Sequence, residues 1–218
     1  MRTIIIGDVH GCIDELNQLL DKVEYSPKVD RLVFVGDLID RGPNPVAVLK
    51  LARIFEAECV LGNHEEKALR WKQGRNVQVS PERKEEWKSF TDADWDYIRA
   101  MPLYLELPMN WWVVHGGCRP GVPVARQNPK EIVRLRYIKL ANMSMASIFD
   151  IKPEDVGIKY TYWADMWQGP ERVIYGHQVW MEGGPRVTAQ AWTAGIDTGC
   201  VFGGELTAMV MDDNCTAP

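Results

Sequence analysis

The sequence has no apolar run that approaches the ~20 residues a membrane-spanning helix needs. Its first hydrophobic stretch, Ile4-Ile5-Ile6, stops at Gly7 and is too short for the core of a secretory signal. Cysteines are few and unpatterned. Cys12, Cys59, Cys118, Cys200 and Cys215 make an odd number with no C-x-x-C spacing, which argues against both a disulfide framework and a zinc knuckle. Reduced thiols in a cytoplasmic protein are the expectation. There is no excess of positive charge: 25 Lys and Arg face 30 Asp and Glu, a net charge of −5. Neither a membrane partner nor stable binding to duplex nucleic acid is therefore expected, although a local basic pocket for a phosphate is compatible with that balance. Internal repeats and low-complexity tracts are absent. Histidine is the scarcest informative residue, with four copies.

What is present suits one globular domain over residues 1–218. The chain is 46% hydrophobic and 25% charged, and 218 residues can bury a sizeable core unaided. Thr3 to Ile6, Leu32 to Val35 and Cys59 to Leu61 are short β-branched or apolar runs, each cut off by glycine, as buried parallel strands are. Between the first two, Ile13, Leu16, Leu19, Leu20 and Val23 form a helical stripe; after the second, Pro43 and Pro45 suit the first turn of another helix, which Val46 to Phe55 continues. The order βαβαβα predicts an α/β layer with one functional edge.

Residues from about 66 to 110 read as a helical cap inserted in the domain. Gln73 to Asn76 breaks one helix, Pro81 to Phe90 forms another, and Thr91 to Asp94 resembles a capping box before a third that ends at Pro102. The tryptophans of this segment read as packing residues. Further strands are expected at Trp111 to Val114 and Val173 to Tyr175, a helix from Lys130 to about Leu140, and an antiparallel hairpin from Thr193 to Met211. Residues 141–162 show no period and read as a mobile loop; Tyr160, Tyr162 and Trp163 there are candidates for stacking on a base, with core packing as the alternative.

All four histidines, His10, His64, His115 and His177, stand one or two residues from a glycine at a predicted strand exit. Asp8, Asp37 and Asn63 occupy equivalent places. Glycine lets the backbone turn sharply there, so these side chains can face a shared centre. Carboxylate, imidazole and amide together suit borderline divalent metals such as Mn, Fe, Zn, Co or Ni better than calcium.

The blocks Gly7-Asp8-Val9-His10-Gly11, Gly36 to Gly42, Gly62 to Glu65, Val114 to Gly117 and Tyr175 to Gln178 resemble the signatures of the phosphoprotein-phosphatase branch of calcineurin-like metallophosphoesterases, in the family's order. Ile196 to Ala208 is similar to the closing segment of bacterial and phage members. The resemblance implies a β-sandwich flanked by helices and two divalent transition-metal ions, Mn ahead of Fe, Zn, Co or Ni. It implies Asp8, His10 and Asp37 around the first metal, and Asp37, Asn63, His115 and His177 around the second, with Asp37 bridging. It further implies His64 as the general acid, Asp40 as its orienting carboxylate, Arg41 as a grip on phosphate shared with Asn63, and Arg136 as a second phosphate-binding arginine. In such sites the metals activate a hydroxide that attacks phosphorus.

Two positions depart from the family pattern: Gly116 stands where alanine is frequent, and Gln178 where threonine is usual. The short stretch from His177 to Asp197 leaves little room for the substrate-side loop of eukaryotic protein phosphatases. The expected substrate is thus a phosphorylated small molecule or nucleotide, first a bis(5′-nucleosyl) tetraphosphate. Phosphoproteins and nucleic-acid ends or cyclic phosphates are the alternatives. A non-catalytic scaffold fits poorly, since every expected position is filled.

Overall fold

In the computed structural model, which describes residues 1–188 and 192–212, Ile4, Ile5 and Ile6 expose no surface. Successive strand side chains point to opposite faces, so the strand that carries them, β1 (Arg2–Ile6), is covered on both sides. Ile4 and Ile6 pack among helices, whereas Ile5 packs against a second sheet.

The chain then alternates as its periodicity predicts. The helix α1 (Ile13–Lys22) turns Leu16 and Leu20 inward, and β2 (Asp30–Phe34) lies parallel to β1. Asn44 caps α2 (Pro45–Ile54), accepting the Ala47 N–H at 3.0 Å. A two-residue β3 (Glu58–Cys59) pairs parallel with β2 and leads into α3 (Asn63–Lys72). Next come α4 (Pro81–Lys88) and α5 (Asp92–Ala100). The capping box before α5 is reciprocal: Thr91 Oγ1 accepts the Asp94 N–H at 3.2 Å, and Asp94 Oδ2 accepts the Thr91 N–H at 2.8 Å. Trp87 on α4 and Trp95 on α5 are buried in the same core as Leu16 and Leu49, so these helices complete the layer over the first sheet.

Within the segment expected to be helical, β4 (Tyr104–Leu107) is a strand, antiparallel to β5 (Trp111–Val114). The helix expected to reach Leu140 is only α6 (Pro129–Ile132). Its last carbonyl, Ile132 O, accepts the N–H groups of Gly116 and Gly117 at 2.8 and 3.1 Å. The chain after it pairs instead as β6 (Tyr137–Lys139) with β7 (Tyr160–Tyr162), antiparallel. Residues 141–162 therefore close a small two-stranded sheet rather than forming an unstructured loop.

The remaining strands are β8 (Arg172–Tyr175), β9 (Arg186–Thr188), β10 (Thr193–Gly195) and β11 (Ala208–Asp212). The expected closing hairpin does not form. β10 lies parallel to β8 and antiparallel to β9, while β11 crosses over to pair antiparallel with β1. The result is two main sheets, ordered β11-β1-β2-β3 and β4-β5-β8-β10-β9. Ile5, Val33 and Val35 meet Val113, Ile174 and Ile196 between them. Cys12, Cys59, Cys118 and Cys200 are buried free thiols; Cys215 lies outside the described residues. No helix among the described residues is long and apolar enough to cross a membrane.

Candidate functional site

β1, β2 and β3 are mutually parallel, as are β5, β8 and β10. The residues just past their carboxyl ends are, in turn, Asp8 with His10, Asp37, Asn63, His115, His177 and Asp197. Ligand sites of α/β sheets form at such ends. The backbone must turn sharply there. Gly36 has φ of +98°, and a Cβ on it would lie 2.9 Å from His115 Nδ1. Non-glycine residues adopt left-handed φ as well: His10 at 46°, Asp37 at 52°, Asp40 at 68°, Arg41 at 70° and His177 at 66°. Such conformations persist only where the surroundings impose them, and they cluster at functional sites.

Asp37 is the centre. Its Oδ2 lies 3.3 Å from His115 Nε2, 3.5 Å from His10 Nε2 and 3.9 Å from His64 Nε2. Two groups of potential ligand atoms meet there, each within 4.8 Å: His10, Asp37 and His64, and Asp37, His115 and His177. Asn63 Oδ1 is 3.0 Å from His115 Nε2. His10 Nδ1 bonds the Ile39 carbonyl and His115 Nδ1 the Val35 carbonyl, both at 2.8 Å. Each ring is thereby fixed with Nε2 facing inward, as outer partners of metal-binding histidines do. Asp8 accepts the His177 N–H at 3.0 Å.

The electrostatics fit a cation. Burial, with Asp197 and Asp37 nearby, drives the Asp8 carboxyl well above its ordinary range, and burial raises Asp197 too. Burial pulls His10 down to about 4 and His177 well below 6.5, leaving both rings neutral and able to donate a lone pair. Burial would also raise Asp37, but His115, with His64 beside it, holds it well below the carboxylate range. Asp37 thus keeps a buried negative charge beside the neutral His10 and His177, and Asp8 and Asp197 crowd further acidic groups against it, a set whose ionisation a divalent cation would favour.

A cleft of about 330 Å³ opens onto this cluster, lined by Asp8, His10, Asp37, Asn63, His177, Asp197, Arg41 and Arg136 with Ile148, Val179 and Phe202. Arg41 stacks on the Phe202 ring at 5.0 Å, and Arg136 donates to the His177 carbonyl at 2.6 Å. His64 is buried beside His10, 4.7 Å between ring centres, with Nδ1 on Asp40 Oδ2 at 2.5 Å. The ten residues singled out in the sequence are thus brought together: eight around the cleft and Asp37, and the His64–Asp40 pair beside them. Tyr162 and Trp163 are not at the site. Both are buried in the core beneath the second sheet with Val173 and Tyr175, so they offer no face to a base. A larger cavity of about 400 Å³ between Trp111, Trp192, Ala194 and Met209 has no ionisable lining residue; size does not locate the chemistry here.

Four residues escaped the sequence reading. Glu65 is fully buried and accepts the successive N–H groups of Asp37, Leu38 and Ile39 at 3.0, 2.8 and 3.2 Å; burial raises its carboxyl to about 7. Asp197 had a signal, since it too follows a glycine-bearing strand end. Arg83 and Trp87 reach Asp40 from α4 and left no local trace. The departure at Gly116 has a packing reason: a Cβ there would lie 2.5 Å from Arg134 N. Gln178 donates to the Val179 carbonyl at 3.3 Å.

Comparison with known proteins agrees with this geometry. Residues 1–190 match the model of the calcineurin-like phosphoesterase family. The asymmetrical bis(5′-nucleosyl)-tetraphosphatase of Anoxybacillus flavithermus is 34% identical over 94% of this chain and 88% of its own. The symmetrical bis(5′-nucleosyl)-tetraphosphatase of Vibrio cholerae is 29% identical over 98% of this chain and 96% of its own. A crystal structure of a candidate diadenosine tetraphosphatase superposes with a TM-score of 0.82 at 31% identity, covering 98% of this chain and 90% of that one. A Saccharomyces cerevisiae protein serine/threonine phosphatase shares the fold, with a TM-score of 0.62 at 13% identity, covering all of this chain and 81% of that one.

Proposed function

The chain belongs to the calcineurin-like phosphoesterase family, and from that premise we propose that it hydrolyses bis(5′-nucleosyl) tetraphosphates at the Asp37 cluster. As a family member it is a metal-dependent hydrolase of phosphate esters or anhydrides. The observation that carries the finer reading is the cleft itself, where Arg41 and Arg136 flank the cluster, together with relatives that act on nucleotides.

Asp8, His10 and Asp37 would hold one divalent ion, and Asp37, Asn63, His115 and His177 a second, with manganese the first choice. Such ions supply neutralisation of phosphoryl charge and activation of water near neutral pH. The other roles belong to side chains. Arg41 and Arg136 pair with the phosphate oxygens, a geometry guanidinium groups suit, and the Asn63 amide adds a further contact. Although His64 shares a cluster with His10 and Asp37, two observations support a different role for it: its Nε2 is the farthest of the three imidazoles from Asp37 Oδ2, at 3.9 Å, and its Nδ1 is engaged by Asp40. It delivers a proton from Nε2 to the leaving oxygen while Asp40 holds the ring.

The test is product chromatography on the Mn-loaded protein offered diadenosine tetraphosphate, ATP, a phosphoserine peptide and a 2′,3′-cyclic nucleotide. The proposal expects diadenosine tetraphosphate to be consumed fastest. AMP with ATP, or ADP alone, tells which anhydride is cut. Faster turnover of the peptide or the cyclic nucleotide would displace it.

A further inference from the structure

Asp40 has no exposed surface and a left-handed backbone, so its carboxylate is aimed only as well as its neighbours hold it. Those neighbours come from one face of one helix. Trp87 Nε1 donates to Asp40 Oδ1 at 2.8 Å. Arg83 Nε pairs with Oδ2 at 3.0 Å. Glu86 Oε1 accepts the Asp40 N–H at 3.1 Å. Positions 83, 86 and 87 are spaced i, i+3 and i+4, which places them on one face of α4.

We propose that Arg83 and Trp87 are positioning residues for the reaction: they lock the Asp40 carboxylate so that His64 presents its proton to the leaving oxygen. The inference rests on the reading of His64 as the acid. With Oδ1 held by the indole and Oδ2 by the guanidinium, the carboxylate cannot rotate, and the lone pair facing His64 Nδ1 stays in place. The imidazole is then fixed at one nitrogen and directs the other toward the cleft.

Packing alone accounts less well for these contacts. Trp87 belongs to an aromatic cluster, 5.5 Å from the Trp71 ring, and any similar ring would fill that space. A buried indole N–H needs an acceptor, and the acceptor here is the carboxylate paired with His64. Arg83 keeps a quarter of its side chain exposed, yet it turns inward to a fully buried carboxylate. α4 contributes no residue to the cleft lining, so its influence on the reaction would run through Asp40.

The experiment compares wild type, Arg83→Gln, Trp87→Phe, His64→Asn and the Arg83→Gln/His64→Asn double variant, all Mn-loaded. Each is assayed on 4-nitrophenyl phosphate and on phenyl phosphate, whose leaving group is more basic and needs the proton more. The readout is the ratio of kcat on the first substrate to kcat on the second. Arg83→Gln is expected to raise that ratio about 3–10-fold with KM little changed, a fraction of what a general acid contributes. Trp87→Phe should move it the same way, and His64→Asn further. The double variant should match His64→Asn, because the clamp acts through that ring. An unchanged ratio in Arg83→Gln, an effect confined to KM, or a double variant well beyond His64→Asn overturns the clamp. If His64→Asn itself leaves the ratio unchanged, the acid assignment fails and the clamp with it. Should Trp87→Phe not fold, Arg83→Gln decides alone.

Discussion

His64 and Asp40 face each other across 2.5 Å, Nδ1 to Oδ2, with both rings of the neighbouring pair His10 and His64 edge to face at 4.7 Å. The carboxylate-bound nitrogen is turned away from Asp37, and the other nitrogen toward it. This arrangement supports the proposed role of His64 as a proton donor beside the candidate ligands. His64→Asn should therefore keep the metals while losing on the order of 10²–10⁴ in kcat. The loss should be smaller for 4-nitrophenyl phosphate than for an alkyl phosphate. Metal analysis together with kcat on the two substrates checks this; equal losses on both would remove the acid role.

Asp37 lies between the two ligand groups, so Asp37→Asn should lower metal content at both positions. His10→Ala should affect mainly one. The check is the metal-to-protein ratio after gel filtration, and two ions per chain retained in Asp37→Asn would end the bridging assignment.

Glu86 gives a pH signature. Burial, reinforced by the Asp40 charge, raises its carboxyl to about 7, against an ordinary 4.5. The folded state thus holds this proton more tightly than the unfolded chain. Its contribution to stability is complete below about 4.5 and is lost as pH rises through about 7. Glu86→Gln keeps an acceptor for the Asp40 N–H but has nothing to titrate. Its Tm should fall less than wild type's between pH 5 and 8, and parallel Tm curves would contradict the account.

Trp163 exposes no surface and sits against the Tyr175 ring at 5.0 Å. Trp163→Ala should cost roughly 3–5 kcal/mol of stability through the cavity it leaves, measured by denaturant unfolding. Tyr162→Leu should leave KM for a nucleotide unchanged, because the ring lies in the core and does not line the cleft. A rise in KM specific to nucleotides would restore these residues as a base platform.

How much of this was legible in the chain depended on how far apart the partners lie in sequence. β1 to α3 could be read from period and glycine stops, because each element carries its own hydrophobic pattern. The candidate ligand cluster could be read because every member repeats one local device, a polar residue just past a strand. β6 and β7 could not: Tyr137–Lys139 follows four helical residues, and only its pairing partner some twenty residues later makes it a strand. The final segment looked like a hairpin because nothing local says that Ala208–Asp212 pairs with Arg2–Ile6 at the far end of the chain. Arg83 and Trp87 were hidden for the same reason, reaching Asp40 across more than forty positions.

The most direct test of the central claim is kcat/KM of the Mn-loaded protein for diadenosine tetraphosphate, set beside that for a phosphoserine peptide in the same preparation. A nucleotide value well above the peptide value, with Arg41→Ala and Arg136→Ala each depressing it, is the predicted result. A peptide value equal to or above the nucleotide value would contradict it.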